Sequence, residues 1–102
     1  MSDTIKFAKG QKFQNASDEE KISLIKSDLY NLLIKYVRGR VNYVCLQNGV
    51  NELSNLGLLG RSELITFLNK KVNYEAYQAA IGRSEAEIEK IRARVNKIKE
   101  EE

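Results

Sequence analysis

The sequence contains no histidine, no proline and a single cysteine, Cys45. Without histidine there is no Ser-His-Asp triad, no Cys-His dyad and no HExxH metal site, and one thiol can close neither an internal disulfide nor a structural zinc site. Carboxylates are the remaining catalytic groups, and they cluster at Asp18, Glu19 and Glu20, at Glu85, Glu87 and Glu89, and at the terminal Glu100 to Glu102. Such places suit helix starts and solvated ends rather than a convergent pocket. The chain therefore reads as non-enzymatic, with no catalytic residue, metal ligand or cofactor expected. Cys45, between Val44 and Leu46, reads as a small hydrophobe, and a lone thiol fits a reducing, cytoplasmic setting. No apolar run approaches the roughly 18 residues that span a bilayer, and the first residues lack the apolar stretch of a secretory signal. A soluble, intracellular protein with no membrane partner is expected.

What the chain does have is enough for one folded unit. Its 102 residues are 42% hydrophobic and 30% charged, which suits a single domain with a core, with no proline-rich linker to divide it. A chain this small buries a modest share of its surface, so a second copy or a partner could supply further cover. The net charge of +3 is unevenly spread. Residues 1–16 carry Lys6, Lys9 and Lys12 against Asp3, and residues 38–71 carry Arg38, Arg40, Arg61, Lys70 and Lys71 against Glu52 and Glu63. A weak attraction to phosphate backbones or acidic partners follows.

Periodicity predicts an all-α fold: a small helical bundle with a short, flexible basic N-terminal arm over 1–16 and a single helical domain over 17–102. Ser17 and Glu20 have the spacing of a capping box, and Ile22, Ile25, Leu29, Leu32 and Tyr36 follow the three-four steps of a core helix. Gly39 interrupts that stripe. Tyr36, Tyr43 and Val50 nevertheless stay one heptad apart, which favours a helix continuing or kinking through the glycine over a hairpin turning at 38–40. Asn48 and Gly49 suit a helix stop. Beyond Gly57 and Gly60, Ser62 can cap a short helix ending near Val72, with Asn73 as a boundary.

The strongest pattern lies in the last third. Tyr74, Tyr77, Ile81, Ile88, Ile91, Val95 and Ile98 recur at steps of three and four, with Ser84 the one polar member, as in the seam of a packed amphipathic helix. Gly82, and the capping-box pair Ser84 and Glu87, argue for a break; the unbroken register argues for one long helix over about 74–100, bent at Gly82. The continuous helix is the expectation.

These features point to surfaces rather than to a reaction centre. The leading expectation is an assembly, adaptor or inhibitory factor that self-associates, as a coiled-coil oligomer, or docks on another helical protein through the seven seam residues. The alternative is a nucleic-acid-associated accessory protein using a basic patch of Lys35, Arg38, Arg40, Arg61, Lys70 and Lys71. Small size and missing catalytic groups also suit an accessory protein of a phage or mobile element. Residues 52–68 bear a faint likeness to a helix-turn-helix, but a recognition helix would display more basic and amide groups than Arg61 and Thr66 beside Glu63. Gly57-Leu58-Leu59-Gly60 has GxxG spacing without charge for a phosphate backbone, so ordinary helix-loop-helix packing is expected there.

Overall fold

The computed structural model describes residues 15–101, which form four α-helices and no strand. We number them α1 (Asp18–Val37), α2 (Tyr43–Ser54), α3 (Arg61–Ala80) and α4 (Glu85–Glu100). The chain is a small all-helical bundle. The basic arm, with Lys6, Lys9 and Lys12, lies outside the described residues. Among the described residues no helix is long and apolar enough to cross a membrane.

Each helix begins where a backbone amide finds an acceptor. Glu20 N–H donates to Ser17 Oγ at 3.2 Å, while the Glu20 carboxylate accepts from the serine hydroxyl rather than from the cap amide. Cys45 N–H donates to Asn42 Oδ1 at 2.8 Å to start α2. The expected cap at Ser62 is displaced to Gly60, whose N–H donates to Glu63 Oε1 at 3.1 Å. Ser84 and Glu87 form the full reciprocal box at the start of α4. Each such bond satisfies an amide that has no intrahelical partner.

Two expected continuities are broken. The first helix does not bend through Gly39; it stops at Val37. Gly39 takes φ 78°, its N–H donates to Tyr36 O at 3.0 Å, and Arg40 N–H donates to Lys35 O at 2.8 Å. This is a Schellman motif, in which a left-handed residue folds two amides back onto the last carbonyls. Tyr36 and Tyr43 keep their heptad spacing across this turn, with ring centroids 5.9 Å apart. The long helix over 74–100 is likewise two helices. Gly82 has φ 75°, and Arg83 N–H donates to Ala80 O at 3.0 Å, so the chain reverses before the Ser84 box starts α4. Conversely, the expected stops at Gly49 and Asn73 fall inside α2 and α3. Gly49 is buried where the helices meet: a Cβ there would lie 2.3 Å from Leu32 Cδ2, so the absent side chain lets α2 approach α1.

The core is one cluster drawn from all four helices. α1 contributes Ile25, Leu29, Leu32, Leu33, Tyr36 and Val37; α2 Leu46, Val50 and Leu53; α3 Leu64, Ile65, Leu68, Val72 and Ala79; α4 Ile91, Val95 and Ile98. α1 packs on each of the other three, and α3 also packs on α2 and α4. The seam is thereby divided. Ile91, Val95 and Ile98 are 6%, 7% and 1% exposed, so they cover this chain's own core and offer nothing to a partner. Ile88 is half-buried, whereas Tyr74, Tyr77 and Ile81 stand in solvent.

Candidate functional site

Two surfaces carry more than the bundle needs, and the first is the outer face of α3. This helix buries Leu64, Ile65, Leu68, Val72, Glu75 and Ala79. The opposite side presents Lys70, Tyr74 and Tyr77 at steps of four and three, and Ile81 follows at the helix end. Tyr74, Tyr77 and Ile81 are 61%, 67% and 61% exposed. One turn before Lys70, the half-buried Phe67 has two ammonium groups near its ring, Lys26 Nζ at 5.9 Å and Lys71 Nζ at 5.8 Å from its centroid. A hollow of about 250 Å³ opens there, lined by Lys26, Leu59, Glu63, Thr66, Phe67 and Lys70. The result is an apolar ridge that runs from a lysine-rimmed hollow to the α3–α4 turn.

The second surface is basic and concave. Arg38, Ala79, Arg83, Glu87, Lys90, Ile91 and Arg94 line a cavity of about 210 Å³. A neighbouring hollow of about 390 Å³ is lined by Tyr36, Gly39, Arg40, Val41, Asn42, Tyr43, Ala93, Arg94 and Lys97. Arg94 belongs to both and is fixed: its Nη1 donates to Val37 O at 3.0 Å, and its own carbonyl accepts the Tyr36 hydroxyl at 3.0 Å. A cation over the last carbonyls of α1 is favourable there. Burial raises the Tyr36 pKa against the opposing effect of Arg94. Glu87, the one carboxylate in the lining, is held below its ordinary range by the Ser84 amide and hydroxyl and by Arg83, whose Nη1 is 3.3 Å away.

The residues expected to form one basic patch are dispersed. Arg38 and Arg40 lie in the α1–α2 turn at the basic hollows. Lys35, on the last turn of α1, lines neither hollow, and Lys70 and Lys71 flank the α3 ridge. Arg61 is engaged at the far end of α4, where its Nη2 lies 3.2 Å from Glu101 Oε1 and donates to Gln47. The same Glu101 carboxylate accepts from Gln47 and from the Tyr43 hydroxyl, the latter at 2.6 Å. Burial would raise the Glu101 pKa, but the hydrogen bonds from Tyr43, Gln47 and Arg61 outweigh it and lower it. The basic residues missed from the sequence are Arg83, Lys90, Arg94 and Lys97. Lys90, Arg94 and Lys97 sit at i, i+4 and i+7 on α4, a signal masked by reading that helix for its apolar seam alone.

Among the described residues no group of three or more histidine, cysteine or acidic side chains could hold a metal ion. No family model, curated protein or solved structure matches the chain.

Proposed function

We propose that this chain is a non-catalytic protein-interaction module whose docking surface is the outer face of α3. The observation that carries this reading is the concentration of exposed apolar bulk: among the described residues, three of the four large exposed hydrophobic side chains, Tyr74, Tyr77 and Ile81, fall within one short stretch. Contiguous apolar surface of this kind marks docking sites, and tyrosine supplies large contact area at low entropic cost. The occupant that fits is an acidic amphipathic helix. Its apolar stripe would lie along the ridge and into the Phe67 hollow, with carboxylates over Lys26, Lys70 and Lys71. The wider reading of an adaptor or assembly factor is retained, with its contact narrowed from the seven seam residues to Tyr74, Tyr77 and Ile81.

The test uses labelled designed peptides of about five helical turns with a leucine stripe and either glutamate or lysine flanks. The glutamate-flanked peptide is expected to shift backbone resonances of α3's outer face and to bind at least about tenfold tighter than its lysine-flanked counterpart. The Tyr74→Ser/Tyr77→Ser variant, with unchanged melting, should lose that binding. Equal binding of both peptides, or full binding by the variant, would refute the reading. A concentration-dependent dimer abolished by the same substitutions would assign the ridge to a second copy instead.

A further inference from the structure

We infer that the two basic hollows between the α1–α2 turn and α4 form a binding track for the phosphates of a nucleic-acid strand, a site separate from the α3 ridge. The first support is charge. The hollows gather Arg38, Arg40, Arg83, Lys90, Arg94 and Lys97 around a single carboxylate, Glu87. The chain as a whole has 17 cations against 14 acids, so these six leave the rest of the molecule net acidic. Among the described residues this is the larger of two basic surfaces, the other being the lysines at the Phe67 hollow.

The second support is the lack of internal neutralisation. Glu87 is already committed to the Ser84 cap and to Arg83. Among the described residues, Arg38, Arg40 and Lys90 make no ion pair with any carboxylate. Gathering like charges without counter-charge opposes folding, and a bound polyanion relieves that opposition.

The third support is preorganisation. Arg94 is tethered to Val37 O and packs against Gly39, where a Cβ would lie 2.7 Å from its Nη2. Its guanidinium therefore sits on the wall shared by both hollows with little freedom left to lose. Ala79 and Ile91 line the first hollow, and Tyr36, Val41 and Tyr43 the second. The apolar wall of the second hollow focuses the field of the cations on an entering anion. The extent of the surface separates a strand from a lone phosphate. One phosphate would be served by Arg38, Arg83, Lys90 and Arg94, whereas Arg40 and Lys97 carry the cationic surface onward past Arg94. Lys70 and Lys71 line neither hollow and take no part.

Fluorescence anisotropy with a single-stranded oligonucleotide of about 12 nucleotides tests the assignment across a salt series. Binding should weaken steeply with salt, and each of Arg38→Gln, Arg40→Gln and Lys90→Gln should reduce the log–log salt slope by about one. These side chains are exposed and, among the described residues, without an ion pair, so folding should be retained, with helical melting as the check. The Arg38→Glu/Lys90→Glu variant should abolish binding, while Lys70→Glu/Lys71→Glu should leave it unchanged. No binding by the natural sequence at low salt, or equal loss from the Lys70/Lys71 variant, would overturn the inference. Inorganic phosphate that displaces the oligonucleotide at equal phosphate concentration would also overturn it, assigning the first cavity to a free anion.

Discussion

At the residue scale, Gly39 does two jobs that one side chain would spoil. Its φ of 78° closes α1, and its missing Cβ leaves room for the Arg94 guanidinium. Left-handed backbone costs a non-glycine residue about 1–2 kcal/mol, so Gly39→Ala should lower the unfolding free energy by at least that amount in urea titrations. The steric part belongs to the flexible end of Arg94 and can be removed separately. In an Arg94→Ala background the Gly39→Ala penalty should shrink to its dihedral share without vanishing. A neutral Gly39→Ala would mean that the turn is not left-handed in solution. Arg61 shows the opposite lesson: nothing local in the sequence connects it with Glu101, forty residues away, so its cation looked available when the fold had already engaged it.

At the scale of the elements, the break between α3 and α4 is open to a test of sign. Inside a continuous helix Gly82→Ala would stabilise by about 1 kcal/mol. At φ 75° the same change should destabilise by about 1–2 kcal/mol instead. Ser84→Ala should cost about 1 kcal/mol through the lost cap. Stabilisation by Gly82→Ala would restore the single long helix.

The sequence carries a signal for each break, in Gly39 before Asn42 and in Gly82 before Ser84 and Glu87, but the apolar phase runs through both and points to continuity. Phase reports which residues face the core and says nothing of the path between them, so a short turn that returns the chain to the same core preserves it. That is why the all-helical class, the caps at Ser17 and Ser84 and most core positions were legible while the helix count was not. The α4 part of the seam is turned into the core for a related reason. An apolar stripe records a need for cover, and Ile91, Val95 and Ile98 find theirs within the chain.

At the scale of the whole molecule, closure depends on contacts between distant ends that titrate in opposite directions. Glu101, at the end of α4, joins α2 through Tyr43 and Gln47 and the start of α3 through Arg61. Its pKa is lowered from the ordinary 4.5, so its contribution is present above that value and is lost as pH falls through the lower, folded value. The alkaline side belongs to three tyrosines, of which burial raises Tyr36 and two others are pushed far enough to carry a value. The hydrogen bond to Glu75, which ties α1 to α3, pushes Tyr30 from 10.0 up to about 12. Burial, followed by the bond to Glu101, does the same for Tyr43, again to about 12. Above the ordinary tyrosine value the unfolded chain releases protons that the folded chain retains. Their stabilisation is therefore complete below pH 10 and drains away as pH rises toward 12. Urea stability measured across pH should show a plateau with falling limbs on both sides. Tyr30→Phe/Tyr43→Phe should make the alkaline limb shallower, leaving the share that belongs to Tyr36. Glu101→Gln should weaken the acid limb and also shorten the alkaline one, whose start stays at the ordinary tyrosine value while its end moves down, because Tyr43 loses an anionic acceptor but keeps its burial. Two limbs that respond independently to Glu101→Gln would show that the contact between Tyr43 and the end of α4 does not form in solution.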